Sequence, residues 1–246
     1  MKRKTWLLLT ALLLVGISAV SCTSNDSAAL QVATYATWPP FEFVDTETRE
    51  IKGFDIDVMT AIADKAGLDI EFVNVGWDPL LAGMAQGTYD LAISSITITE
   101  ERQRDMLFSD PYFAAGQIVT VRIEETTITG PENLTGVVGA QIGTTGAFEV
   151  EKIDGATLKT FDDIGFAFQD LMNGQIVAVI CDNPLALDYV RENPDKLKTV
   201  GEAFTDEFYG IAIAQRNEDL VDPINAAIAE LEAEGLFDEL SRKWLE

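Results

Sequence analysis

Residues 90–111 read DLAISSITITEERQRDMLFSDP. The first half alternates, with Ser95, Thr97 and Thr99 on one face of an extended chain and Ile96 and Ile98 on the other. At Thr99 the pattern becomes that of a helix start. Thr99 is a good N-cap, and Glu100 and Glu101 stand where the helix dipole favours negative charge. Arg102 follows in the same turn, where the dipole disfavours a cation. A hydroxyl-lined strand end, free helix N–H groups and a fork-shaped cation together make a receptor for a small carboxylate. On these residues alone, the alternative is an Arg102 paired with a neighbouring acid on a solvated helix face, an arrangement worth little.

Outward from this stretch the chain alternates strand and helix. Strand patterns cover Leu30–Tyr35, Ile70–Val75 and Leu91–Thr97, with helices at Asp57–Lys65, ended by Gly67, and at Pro79–Gln86. A second series runs strand Gln117–Arg122, strand Val137–Gln141, a helix from about Thr145, strand Thr157–Phe161, helix Ile164–Asn173, strand Ile176–Cys181 and helix Pro184–Glu192. Two helices end the chain. Asp222-Pro223 reads as an N-cap and a first-turn proline, Ile224, Ile228 and Leu231 form an apolar stripe, and Gly235 breaks the run before Phe237, Leu240 and Trp244. This alternation predicts an α/β protein with mostly parallel sheets.

The N-terminus reads as an address. Lys2, Arg3 and Lys4 precede an uncharged apolar run, Trp6–Val20, too short to span a membrane and suited to a signal-peptide core. The following Ala19-Val20-Ser21-Cys22 resembles the bacterial lipobox, with Ala19 in place of the usual Leu. That resemblance implies a signal peptide over residues 1–21, lipidation of Cys22, and a polar tether over 22–29. The alternative is ordinary secretion with Cys22 incidental.

The net charge is -24, and removing the three leader cations brings the remainder to -27. Such a chain offers no basic face to nucleic acid. With no His among its 246 residues, it excludes Ser-His-Asp and Cys-His catalysis and imidazole metal sites. No acid or Cys cluster has metal spacing, so no metal or other cofactor is expected. With Cys22 given to lipid, Cys181 lacks a disulfide partner and reads as a buried, inert thiol.

Several segments together resemble family-3 bacterial solute-binding proteins, the extracytoplasmic receptors of ABC importers for polar amino acids. They are ISSITITEER at Ile93–Arg102, FSDPYF at Phe108–Phe113, WPPFEF at Trp38–Phe43, GFDIDV at Gly53–Val58, VGWDPLLAGMAQG at Val75–Gly87, QIGTTG at Gln141–Gly146, CDNP at Cys181–Pro184, YGIA at Tyr209–Ala212 and KWL at Lys243–Leu245. The resemblance implies a two-lobed type II periplasmic-binding-protein fold with two hinge crossovers and a ligand cleft between the lobes. Carried onto this sequence, lobe one is 30–111 plus 210–246, lobe two is 117–204, and the hinge is 112–116 and 205–209. The implied partners are a small-molecule amino acid and an ABC permease, for a monomer held at the membrane by its lipid.

The same resemblance assigns the cleft residue by residue. Arg102 would hold the ligand carboxylate bidentately. Thr97 would meet the carboxylate with its N–H and the amine with its hydroxyl, and Ser95 would offer a carbonyl to the amine. Thr145 would donate an N–H from the other lobe, and Asp182 would pair with the ammonium. Trp38 and Trp77 match aromatic walls for the ligand side chain. Read without the family, each Trp is more readily core, and Asp182 and Thr145 are ordinary caps.

One position departs from the pattern: many members carry an acid where this chain has Tyr35. Tyr35, Ser94 and Gln141 are therefore the expected selectivity positions, for a ligand that is basic or glutamine-like. Alternatives on the same fold are an amino-acid sensor acting through a partner, or a dehydratase of cyclohexadienyl substrates. Because Arg102, Thr97 and Asp182 keep the amino-acid-binding pattern, a binding protein rather than an enzyme is expected.

Overall fold

The structure is a computed structural model that describes residues 28–245. The leader and Cys22 lie outside the described residues. Two five-stranded sheets organise the chain. The first runs Ile70–Asn74, Leu30–Thr34, Leu91–Ala92, Ala212–Ile213, Leu107–Phe108. The second runs Ala156–Phe161, Gly136–Gln141, Ala178–Asp182, Gln117–Arg122, Leu197–Val200. Between them lies an antiparallel ribbon of Phe113–Ala115 with Glu207–Tyr209. A small sheet of Thr37–Trp38, Glu42–Val44 and Ile51–Lys52 accompanies the first.

The expectation of mostly parallel sheets needs correction. In each sheet the first three strands are parallel, and the two remaining pairings are antiparallel. The reason lies in the two passages between sheets. The strands flanking them, Leu107–Phe108 and Ala212–Ile213 in one sheet and Gln117–Arg122 and Leu197–Val200 in the other, pair with reversed direction, whereas parallel neighbours require a crossover connection, usually a helix.

Helix Phe54–Ala66 ends at Gly67, whose φ of 68° suits a left-handed cap. It packs against Val221–Ala233 and Leu236–Trp244. Ile224, Ile228 and Leu231 are buried as their spacing predicts, joined by Ala227. From the ribbon, Phe113 and Tyr209 join Phe41 and Phe54 in one aromatic cluster. Phe41 meets Phe113 edge-on at 5.0 Å, and Phe113 stacks on Tyr209 at 5.7 Å. Among the described residues no helix is long and apolar enough to cross a membrane.

Three local expectations fail for identifiable reasons. The strand at Leu91 stops after Ala92 rather than reaching Thr97. There the Ser95 N–H donates to Asp55 Oδ2 at 2.7 Å instead of to a strand, and Ser95 takes a left-handed φ of 48°, uncommon for a residue with a β-carbon. The helix expected at Thr99 is a single 3₁₀ turn, Arg102–Arg104. Asp222 is not an N-cap, because the turn Gln215–Leu220 runs straight into the helix and Leu220 takes the cap position.

Candidate functional site

Thr97 and Arg102 leave the first sheet together. Thr97 forms an isolated bridge with Tyr209, flanked by Ile98 N–H to Phe208 O at 2.9 Å and Gly210 N–H to Ile96 O at 3.1 Å. A residue between two such bonds turns its own N–H away from the partner strand. The Thr99 hydroxyl accepts from the Arg102 N–H at 3.1 Å, although the cap position of the short turn is Glu101 rather than Thr99. The Arg102 side chain lies inward, with only 8% of the residue exposed.

Arg102 Nη1 donates to Thr97 O at 2.8 Å, and Nη2 to Gly143 O at 3.2 Å. The guanidinium lies 5.4 Å from the Trp77 ring centre. Burial depresses its pKa, while the charges of Asp182 and Glu207 pull the other way. Its two hydrogen bonds go to neutral carbonyls, so this buried cation is receptive to an anion. Gly143 takes a φ of +69°, and a β-carbon there would come within 3.3 Å of Trp77 Nε1. The loop therefore needs glycine to present its carbonyl to Arg102.

The second sheet supplies the opposing charge. Asp182 ends strand Ala178–Asp182 and occupies the N-cap position of helix Asn183–Glu192, yet its side chain makes no cap bond. Its carboxyl instead accepts from Gln117 Nε2 at 3.0 Å. Burial, with the nearby charge of Glu207, pushes Asp182 up to about 7, with Arg102 opposing. The reading of Asp182 as an ordinary cap is thereby set aside. Thr145 is not the cap of its helix either. Thr144 is, with its hydroxyl accepting from Ala147 N–H at 3.3 Å. Thr145 begins the helix, where backbone N–H groups lack intrahelical partners. Its hydroxyl donates to Glu207 Oε2 at 2.6 Å.

Trp38 and Trp77 are 6% and 8% exposed, and their indole N–H groups are buried without a hydrogen-bond partner among the described residues. Gln141 donates through Nε2 to Asp162 O at 3.2 Å and leaves Oε1 buried and unpartnered. The Tyr35 hydroxyl donates to Asp163 Oδ2 at 2.9 Å, while Asp163 Oδ1 caps helix Ile164–Met172 through the Gly165 N–H at 2.7 Å.

Ser94 and Ser95 donate their hydroxyls to the two oxygens of Glu42 at 2.9 and 3.2 Å. Glu42 and Asp55 are a buried acid pair. Burial and the neighbouring Asp55 charge hold Glu42 well above the usual carboxylate range, and burial brings Asp55 to about 7. Tyr112 donates its hydroxyl to Asp55 at 2.9 Å.

Twelve of these residues line one cleft. Tyr35, Trp38, Trp77, Ser94, Ser95, Thr97 and Arg102 line it from the first sheet's side, and Gln141, Thr145 and Asp182 from the second's. Glu42 and Thr144 line it too and were not expected from the sequence. Nor were Gln117, Asp163 and Glu207, which bond to its lining. Glu42 could have been suspected as an acid between aromatics in WPPFEF, and Asp163 as a helix cap. Nothing local marks Glu207 among 41 acidic residues. Cys181, beside the cleft residue Asp182, is a buried free thiol, as its lack of a partner suggested.

A family model described as bacterial extracellular solute-binding proteins, family 3, matches residues 30–246. A probable histidine-binding protein of Neisseria gonorrhoeae is 32% identical over 93% of this chain and 87% of its own length. Among solved structures, an ancestral arginine-binding protein bound to arginine matches with a TM-score of 0.83 and 41% identity, covering 89% of this chain and 98% of that one. An ancestral arginine-binding protein bound to glutamine matches with a TM-score of 0.82 and 42% identity, covering 88% and 97%.

Proposed function

We propose, for a chain that belongs to the bacterial extracellular solute-binding proteins of family 3, that it captures a basic or glutamine-like amino acid and delivers it to an ABC permease. The observation that carries this reading is the cleft itself. A buried guanidinium from one sheet and a buried carboxyl from the other stand at the same end, complementary to the two charges of an amino acid's α-carbon head. Arg102 would take the carboxylate, aided by the Thr97 and Thr145 N–H groups. Asp182, the Ser95 carbonyl and the Thr97 hydroxyl would take the ammonium.

The side chain of the ligand would lie between Trp38 and Trp77, flat surfaces suited to an amide or a guanidinium. Gln141 Oε1 is an acceptor awaiting a donor, and Asp163 beside Tyr35 supplies the acid that the Tyr35 position itself lacks. Both features favour a side chain rich in N–H groups.

Residues 30–111 with 210–246 would form one lobe and 117–204 the other. The crossovers at 112–116 and 205–209 would bend as the lobes close. Lipidation of Cys22 would keep the protein on the outer face of the cell membrane, acting as a monomer. A thermal-shift screen of the common amino acids tests the function. A ligand at 100 times its Kd stabilises by about 2.7 kcal/mol. Stabilisation by arginine, lysine, histidine or glutamine is the expected result, and none by any amino acid would refute the reading.

A further inference from the structure

Glu207 stands on the ribbon strand Glu207–Tyr209, between the two sheets. Its carboxylate gathers donors from all around. Oε2 accepts from Thr145 Oγ1 at 2.6 Å, Thr97 Oγ1 at 3.1 Å and Gln117 Nε2 at 3.3 Å, and Oε1 accepts from Thr205 Oγ1 at 2.9 Å. Thr97 belongs to the first sheet's side of the cleft and Thr145 to the second's. Both are buried, at 4% and 9% exposure, so water cannot readily replace their partner.

A threonine hydroxyl has one proton and two lone pairs. Once its proton is directed to Glu207, it can only accept from the cleft. Thr145 already accepts from Gln117 Nε2 at 3.1 Å, and the same Nε2 reaches Asp182 at 3.0 Å. The hydroxyls at the head-group end are thus polarised in one sense, with lone pairs outward. That sense suits an ammonium and repels a carboxylate.

We propose that Glu207 is a positioning residue for amino-acid capture. By fixing the direction of the Thr97 and Thr145 hydroxyls from the crossover, it makes the head-group site selective for a ligand bearing an α-ammonium. The proposal rests on the amino-acid-binding reading above. It concerns a residue that touches the ligand's partners rather than the ligand.

The test uses the purified chain and titration calorimetry. The probes are L-arginine and L-glutamine, with their counterparts lacking the α-amine, 5-guanidinopentanoate and 4-carbamoylbutanoate. Glu207→Ala should weaken the amino acid that the wild type binds by about tenfold or more, the scale of a hydrogen bond to a charged group. The deaminated counterpart should lose nothing, because the freed hydroxyls can turn and donate to its carboxylate. Glu207→Gln, which keeps an accepting oxygen and guards against a folding defect, should fall between wild type and Glu207→Ala. Equal losses for the amino acid and its counterpart would mean a merely structural role in the crossover and would overturn the proposal, as would unchanged affinity for both. A wild-type chain that no amino acid stabilises in the thermal-shift screen would instead bring down the underlying functional reading; if lysine or histidine is the one bound, it and its counterpart lacking the α-amine replace these probes.

Discussion

The Tyr35 hydroxyl donates to Asp163 Oδ2 at 2.9 Å, and this bond reaches from one sheet to the other. Tyr35 directly follows strand Leu30–Thr34, and Asp163 lies just beyond strand Ala156–Phe161. The position where the family resemblance leads one to expect an acid therefore holds a hydroxyl already bonded to an acid from the opposite side. Tyr35→Phe should remove a cross-cleft bond without removing a charge. Arginine and glutamine should both bind about fivefold more weakly, the usual net worth of one hydrogen bond, and their affinity ratio should stay constant. Tyr35→Asp also breaks the bond but adds an anion, so the arginine-to-glutamine ratio should rise. A ratio that does not rise would mean that this position does not face the ligand side chain.

A second expectation concerns pH. Asp182 and Asp55 both have carboxyl pKa values raised to about 7 by burial, from 3.8. An acid whose folded-state value is raised holds more protons in the folded than in the unfolded chain between those values, so it makes stability fall as pH rises from about 4 to about 7. The ligand-free melting temperature should decline over that window, and Asp182→Asn should flatten the decline. Amino-acid binding should strengthen from pH 6 to 8, because only ionised Asp182 pairs with an ammonium. Proton release on binding, read from calorimetry in two buffers of different ionisation enthalpy, checks the sign. Proton uptake would contradict it.

The aromatic cluster at the ribbon predicts a stability cost. Phe54 is fully buried and meets Phe41 at 5.5 Å and Phe113 at 5.4 Å. Phe54→Ala should lower the unfolding free energy by about 3–5 kcal/mol, as large core truncations do. Urea denaturation would measure it, and a loss below 1 kcal/mol would mean the cluster is not cohesive.

The proposed membrane attachment would act through lipidation of Cys22. Cys22→Ser should move the protein from the membrane fraction to the soluble one. An unmodified mature N-terminus at another residue, found by mass spectrometry, would exclude lipidation.

Much of this was legible beforehand because local signals agree with the fold. Gly67 ends its helix, the Ile224–Ile228–Leu231 stripe is buried, and the motif residues meet in one cleft. Residues whose role comes from distant partners were not legible. The strand beyond Ala92 fails because Asp55, 40 positions away, takes the Ser95 N–H. Tyr35 and Asp163 are 128 positions apart, and Thr97 and Glu207 are 110 apart. No local pattern encodes such pairs. Thr144 rather than Thr145 caps its helix because Thr144 keeps the extended backbone of a cap position, φ -93° and ψ 160°, while Thr145 is already the first helical residue.

On the proposed function, Arg102 is the carboxylate clamp of an amino-acid receptor. Titration calorimetry of wild type and Arg102→Ala with L-arginine and L-glutamine tests it most directly. Removing one partner of a desolvated charge pair costs about 2–5 kcal/mol. The wild type should therefore bind, and a variant that still folds should bind at least about 30-fold more weakly. Equal affinity in the two proteins would contradict it.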